Sequence, residues 1–199
     1  MKRLKPYADF LFEVGALSRT PRSGFRHLGS FDQSISEHLL RTAYIGYVLA
    51  HLEKDKGIDI GRVVENCMFH DLGEARALDL DYISQKYSQS DELAAIKDAV
   101  KGLSFGRKIV ESFKETEINQ TKEGIIAKDA DQLELICSLK EIIDNGNSQA
   151  KDWIPHAVKR LKTKSAKSLA KEILRTNSND WWFENKKDNY WVTGGKKLK

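Results

Sequence analysis

The stretch Val63–Arg76, VVENCMFHDLGEAR, constrains the fold more than any other part of the chain. Ile60, Val63, Val64, Cys67 and Met68 recur at helical spacing, so one face of a helix is buried. That helix is expected to deliver His70 and Asp71 and, one turn on, Glu74, with Gly73 loosening the turn between them. An imidazole and a carboxylate at the end of a buried helix are costly unless something satisfies both. A divalent cation does so: it accepts the neutral imidazole nitrogen and keeps the carboxylate ionised.

The remaining chain supplies helices to pack against this one. Tyr7, Phe10, Leu11, Val14 and Leu17 form a first stripe, and the loop Ser18–Gly29 follows with Arg19, Arg22, Arg26 and His27. Ser34 and Glu37 fit a capping box that opens a helix through Leu40, Ala43, Tyr44, Tyr47 and Val48, with His38 in its first turn. After a polar stretch from Ala77, Asp91 caps a helix through Leu93, Ile96 and Val100, and another runs through Ile109, Val110 and Phe113. The longest helix carries Ile126, Ala130, Leu133, Ile136 and Cys137 and ends at Asn145-Gly146-Asn147. A last helix is expected from about Pro155 to Thr176. Three prolines and few β-branched runs agree with an all-α fold.

At 199 residues the chain suits one domain with a real core, here 1–176, followed by an aromatic, lysine-rich extension, 177–199. Trp181, Trp182 and Phe183 are expected to pack back on the domain or on a second subunit, which makes a homodimer the expected assembly, with residues from Gly194 onward frayed. A net charge of +4 permits an anionic small molecule without requiring nucleic acid. No apolar run is long enough to span a bilayer, and Asp9 and Glu13 interrupt any signal-like segment. Cys67 and Cys137 read as buried thiols in a reducing cytoplasm.

Four side chains stand out on otherwise apolar helices: His38, His70, Asp71 and Asp131. Two imidazoles and two carboxylates suit a first-row divalent metal and leave coordination positions open for chemistry. Asp129 and Asp131 lie about 200° apart around one helix, so only one of them faces such a site.

This order of residues, His on one helix, His-Asp on the next and Asp on a later one, resembles the HD-domain metal-dependent phosphohydrolases. The flanking text is more specific. His70-Asp-Leu-Gly-Glu74 with Asp79, Pro21-Arg-Ser-Gly-Phe25, Ser36-Glu-His38 and Ala127-Lys-Asp-Ala-Asp131-Gln resemble the 5'-deoxynucleotidase branch, over about Tyr7 to Asp144. The resemblance implies an all-α HD-domain helical bundle with the metal between helices. It implies His38, His70, Asp71 and Asp131 as ligands, Glu74 as the acid–base residue, Arg22 on the substrate phosphate and Asp79 at the sugar. Phe25 stands nearest to where some members place a sugar-closing tryptophan. No histidine lies between Asp71 and Asp131, where two-metal members carry extra ones, so one divalent ion per chain is expected (Mn, Co, Zn, Fe, Ni or Mg).

The implied reaction is hydrolysis of a deoxynucleoside 5'-monophosphate to the deoxynucleoside and phosphate. Alternatives are a non-catalytic nucleotide-binding module, a hydrolase of another nucleotide phosphoester, and a nucleic-acid binder resting on the lysines between Lys159 and Lys171. Those lysines surround an apolar stripe and read as a solvated face. Arg22 in a basic loop, and Asp79 or Asp81 in the polar stretch, also have solvated readings.

Overall fold

The apolar spacing resolves into helices throughout the computed structural model, which describes residues 4–29, 33–183, 191 and 194. In chain order these are α1 (Lys5–Val14), α2 (Ile35–Leu52), α3 (Ile60–Phe69), α4 (Glu74–Ala77), α5 (Glu92–Ala99), α6 (Gly106–Ile118), α7 (Lys122–Asp144), α8 (Ile154–Arg160), α9 (Lys164–Arg175) and α10 (Asp180–Phe183). The described residues hold no strand; Pro21 and Ser34 meet only as an isolated bridge. The fold is all-α. None of the described helices is long and apolar enough to cross a membrane.

Helix α7 is the axis, packed against α2, α3, α6, α8 and α9. Its Ile126, Ala130, Leu133 and Ile136 meet Leu49, Val63 and Cys67 on one side and Ala157, Leu161, Ala166 and Ala170 on the other. A second core layer joins Phe10, Leu17, Ile35, Leu72, Ile96 and Phe113. Helices α2 and α3 approach closely because Gly46 has no side chain: a Cβ there would lie 2.5 Å from Cys67 Sγ and 3.2 Å from Val63.

The capping box at Ser34 forms in both directions, with Glu37 N–H donating to Ser34 Oγ at 3.3 Å and Ser34 N–H donating to Glu37 Oε2 at 2.8 Å. The face of α2 that turns inward differs from its aliphatic and tyrosine stripe. Leu40, Tyr44, Tyr47 and Val48 are exposed, and His38, Leu39, Thr42, Gly46 and Leu49 are buried. Leu11 of the α1 stripe is also exposed.

Two expected helices break. The helix bearing Val63 and Cys67 ends at Phe69, so His70 and Asp71 sit in a turn and Glu74 opens the short α4. The expected helix from Pro155 to Thr176 is two, because Asp129 of α7 intervenes. Its buried carboxylate accepts hydrogen bonds from Lys162 N–H and Thr163 N–H, both at 2.7 Å, and Thr163 then caps α9. Toward the C-terminus Trp181 faces outward, and the Trp182, Phe183 and Trp191 rings pack on one another. The rest of the extension expected beyond Phe183 lies outside the described residues, apart from a turn at Gly194. Cys67 is buried and Cys137 is half-buried.

Candidate metal centre and cleft

Three elements converge on one point beside α7. The first turn of α2 points His38 inward, and the α3 C-terminus delivers His70. His70 Nδ1–H donates to the Cys67 carbonyl at 2.9 Å, the α3 carbonyl left without a helical partner, so Nε2 faces the site. The two Nε2 atoms are 3.2 Å apart. Asp71 Oδ2 is 3.3 Å from each of them. Asp131, from α7, places Oδ1 at 3.5 Å from His38 Nε2 and 4.0 Å from His70 Nε2. Donor atoms of His38, His70 and Asp71 all lie within 4.8 Å of one another, and Asp131 approaches this group through Oδ1.

The electrostatics fit a cation. Burial works to protonate Asp71, yet His70, His38 and Arg22 hold its carboxyl well below the usual range. Asp131 is lowered in the same way, against burial, by His70, Lys128 and His38. Burial and the Arg22 charge disfavour the His38 imidazolium, but bonds to Asp71 and Glu134 raise it to about 9. His70 is lowered, chiefly by burial. A site that holds two ionised carboxylates and draws a proton onto one of two facing imidazoles is arranged for positive charge, and neutral imidazole plus carboxylate is a sound divalent-ion donor set.

Asp71 and Asp131 open onto a cleft of about 1000 Å³ that Arg22, Glu74, Asp79, Lys128 and Trp153 also line, with His38 and His70 buried beside them. Arg22 Nη1 lies 3.4 Å from Asp71 Oδ2. Glu74 is buried, and its Oε2 has no hydrogen-bond partner. Burial, with Asp71 and Asp79 nearby, pushes its carboxyl up to about 10. A cation at the neighbouring donors would pull that value down again.

Asp79 and Asp81 both join the two loops at the rim. Asp79 Oδ2 accepts from Ser23 N–H at 2.7 Å, next to Arg22 in the chain. Asp81 pairs with Arg26 at 2.7 Å and accepts from Ile83 and Ser84 N–H. The residue before Asp79, Leu78, has φ 64 and ψ 155, a region almost reserved for glycine. Phe25 is buried at the cleft wall, its ring parallel to Trp153 with centroids 6.5 Å apart. Six of the candidates from the sequence therefore line one cleft, Arg22, Phe25, Asp71, Glu74, Asp79 and Asp131, and His38 and His70 are buried against its Asp71 and Asp131.

Two participants escape sequence reading. Trp153, on the turn into α8, brings to the cleft the large ring sought next to Arg22. Glu134 is fully buried behind the ligand candidates, with Oε2 at 2.6 Å from His38 Nδ1. A glutamate three residues after Asp131 on the buried face of α7 was its one visible signal.

The HD domain family model matches residues 14–174. The chain belongs to the HD-domain family. This HD-domain chain is 30% identical over 145 residues to the 5'-deoxynucleotidase HDDC2 of Dictyostelium discoideum, covering 68% of the chain and 76% of that protein. Among solved structures it is similar to a conserved hypothetical protein of Pyrococcus furiosus (29% identity, TM-score 0.70, covering 85% of this chain and 99% of that one). A predicted metal-dependent phosphohydrolase of Magnetospirillum magnetotacticum shares the fold (19% identity, TM-score 0.69, covering 87% and 92%). The HD-domain chain thus lies with the 5'-deoxynucleotidase-like branch of a family of metal-dependent phosphohydrolases.

Proposed function

We infer that this chain is a 5'-deoxynucleotidase holding one divalent ion through His38, His70, Asp71 and Asp131. The observation that carries the reading is adjacency: a half-buried arginine, Arg22, stands 3.4 Å from a carboxylate that also faces both imidazoles. A phosphate entering the cleft there meets a planar guanidinium on one side and the ligand cluster on the other. The deoxynucleotidase relative supports the substrate class, and the cleft volume suits a nucleotide.

When bound, the divalent ion favours hydroxide over water and polarises the phosphoryl oxygen. The chain's own residues do the rest. Arg22 binds and orients the phosphate. Glu74, buried with one oxygen unpartnered, accepts a proton from the attacking water or returns one to the leaving 5'-oxygen. Asp79 holds Ser23, and with it the Arg22 loop, through one carboxylate oxygen and offers the other to the sugar. Phe25 and Trp153 wall the nucleoside end. A homodimer is part of the same reading, supported by exposed Leu40, Tyr44, Tyr47 and Val48 along α2, and light scattering reads it directly.

Phosphate release across ribo- and deoxyribonucleoside 5'-monophosphates, 3'-monophosphates and triphosphates tests the assignment, with Glu74→Gln alongside. Preferential release from the 5'-deoxy monophosphates is expected, with kcat reduced about 10²–10⁴-fold in Glu74→Gln at full metal occupancy. Equal kcat/KM for ribo and deoxyribo substrates contradicts the sugar assignment. A parental rate in the variant removes Glu74 from the chemistry.

A further inference from the structure

Behind the ligand cluster lies a second cluster that the reaction does not consume. Glu134 and His38 are both fully buried, and the Glu134 carboxylate is divided between two tasks. Its Oε2 faces His38 Nδ1 at 2.6 Å. Its Oε1 accepts four donors: Gln33 Nε2 at 2.7 Å, Arg41 Nη2 at 2.8 Å, Arg41 Nε at 2.9 Å and Ser138 Oγ at 3.0 Å. Arg41 reaches from there to Glu141 at 2.6 Å, so the cluster extends from the buried imidazole to the protein surface.

We propose that Glu134 is the positioning residue of the metal centre: it holds the His38 proton on Nδ1 and so presents Nε2 as the ligand atom. The inference rests on the metal reading above for its purpose, and on the Glu134–His38 geometry for its substance. An imidazole binds a metal through a nitrogen that carries no proton, and the partner of its other nitrogen decides which one that is. With Oε1 accepting four donors and Oε2 facing His38, the carboxylate has no place for a proton of its own, so Nδ1 donates and Oε2 accepts. Gln33, Arg41 and Ser138 fix the carboxylate by four bonds, so it cannot rotate away. His70 reaches the same state by other means, its Nδ1–H held by the Cys67 carbonyl. Both rings thus turn Nε2 toward the same point.

Glu134→Gln has a definite consequence. The four donors around Oε1 select the amide oxygen, so the amide NH2 group turns toward His38. Nδ1 must then accept, and the proton moves to Nε2, the atom that should bind the ion. The variant keeps volume and packing but inverts the tautomer.

The test uses the full chain. Zinc affinity is measured by competition with a chromophoric chelator, and ¹⁵N–¹H correlation well above pH 9, where metal-free His38 is neutral, locates its remaining proton. Glu134→Gln is expected to bind zinc about 10–100-fold more weakly and to carry the His38 proton on Nε2. Glu141→Gln, which touches only the outer end of Arg41, should match the parent in both. The double variant Glu134→Gln with Arg41→Gln removes both charges; it should stay weak, because the tautomer remains wrong. Parental zinc affinity in Glu134→Gln, or recovery in the double variant, overturns the proposal, the latter by reducing Glu134 to a counter-ion for Arg41. If Glu134→Gln does not fold, zinc-loaded parent decides: a protected, downfield His38 Nδ1–H resonance is expected, and a proton on Nε2 or none on Nδ1 refutes it. A parent that binds no zinc defeats the metal reading, and the metal-free tautomer still judges Glu134.

Discussion

Asp129 offers the sharpest separation of fold from site, because it sits two residues from Asp131 and faces the other way, about 200° around α7. Its side chain is 1% exposed and ends α8 by accepting from two successive backbone N–H groups, each at 2.7 Å. Hydrogen bonds to a charged group contribute about 1.5–3 kcal/mol each, and a carboxylate at the α9 N-terminus adds about 0.3–1 kcal/mol. Asp129→Ala abolishes all of this and leaves two donors without their partner, for a loss of about 3–7 kcal/mol. Asp129→Asn keeps one acceptor and sets an NH2 group against the other N–H, for about 2–3 kcal/mol. For a chain of this size, roughly 2–4 °C of Tm goes with each kcal/mol, so the Asn variant should melt about 5–10 °C below the parent. Urea and thermal unfolding of metal-free protein by circular dichroism measure the loss, and zinc titration of the folded variant measures the site. Stability should fall while zinc affinity stays parental. An Asn variant as stable as the parent would refute the account of the α8–α9 break. A folded variant that has lost the ion would refute the two-faced reading of α7.

Other expectations follow from single contacts. Arg22→Lys keeps the charge but loses the planar fork, so KM should rise with metal content intact; unchanged kinetics would pass phosphate binding to another cation. Leu78→Gly should stabilise by about 1 kcal/mol, since the ψ 155, φ 64 backbone costs about 1–3 kcal/mol in a leucine and glycine returns roughly 0.5–1 kcal/mol of that as chain entropy; a lower Tm would show that the half-exposed Leu78 side chain holds the loop by packing. Burial pushes the Cys137 thiol up to about 11 and Cys67 higher still. Because a raised thiol pKa means little thiolate below that pH, labelling of native protein by a disulfide reagent should be slow at pH 8 and climb as pH approaches 11, with both thiols reacting at once after unfolding. Fast native labelling at pH 8 would contradict this.

Local signals were legible in the sequence and long-range ones were not. The Ser34 capping box, the Asn145-Gly146-Asn147 stop and the periodicity of α7 act within one or two helical turns, and each appears where spacing places it. The geometric argument that only one of Asp129 and Asp131 can face a given site also holds, with Asp131 toward the histidines and Asp129 toward Lys162 and Thr163. The break at Leu161 was invisible because its cause is a carboxylate more than thirty residues earlier. On α2, Leu40, Tyr44, Tyr47 and Val48 make an unbroken apolar stripe that is exposed, while the buried face interrupts Ile35, Leu39 and Leu49 with His38, Thr42 and Gly46. Periodicity measures apolarity, and it does not register a face whose histidine and glycine serve close approach to neighbouring helices. Glu134 and Trp153 share this limit: each gains its meaning from a partner on a distant element, His38 and Phe25.

The central claim is a single ion at four ligands that makes this chain a phosphomonoesterase, and one titration tests it most directly. Metal-stripped protein is refilled stepwise with manganese, cobalt, zinc, iron, nickel or magnesium while bound metal and phosphate release from a deoxynucleoside 5'-monophosphate are followed together. The account predicts release that rises in proportion to occupancy and reaches its plateau at one ion per chain, with His70→Ala binding none and releasing none. Full occupancy at one ion without phosphate release from any 5'-monophosphate, or release that begins only as a second ion binds, would contradict it.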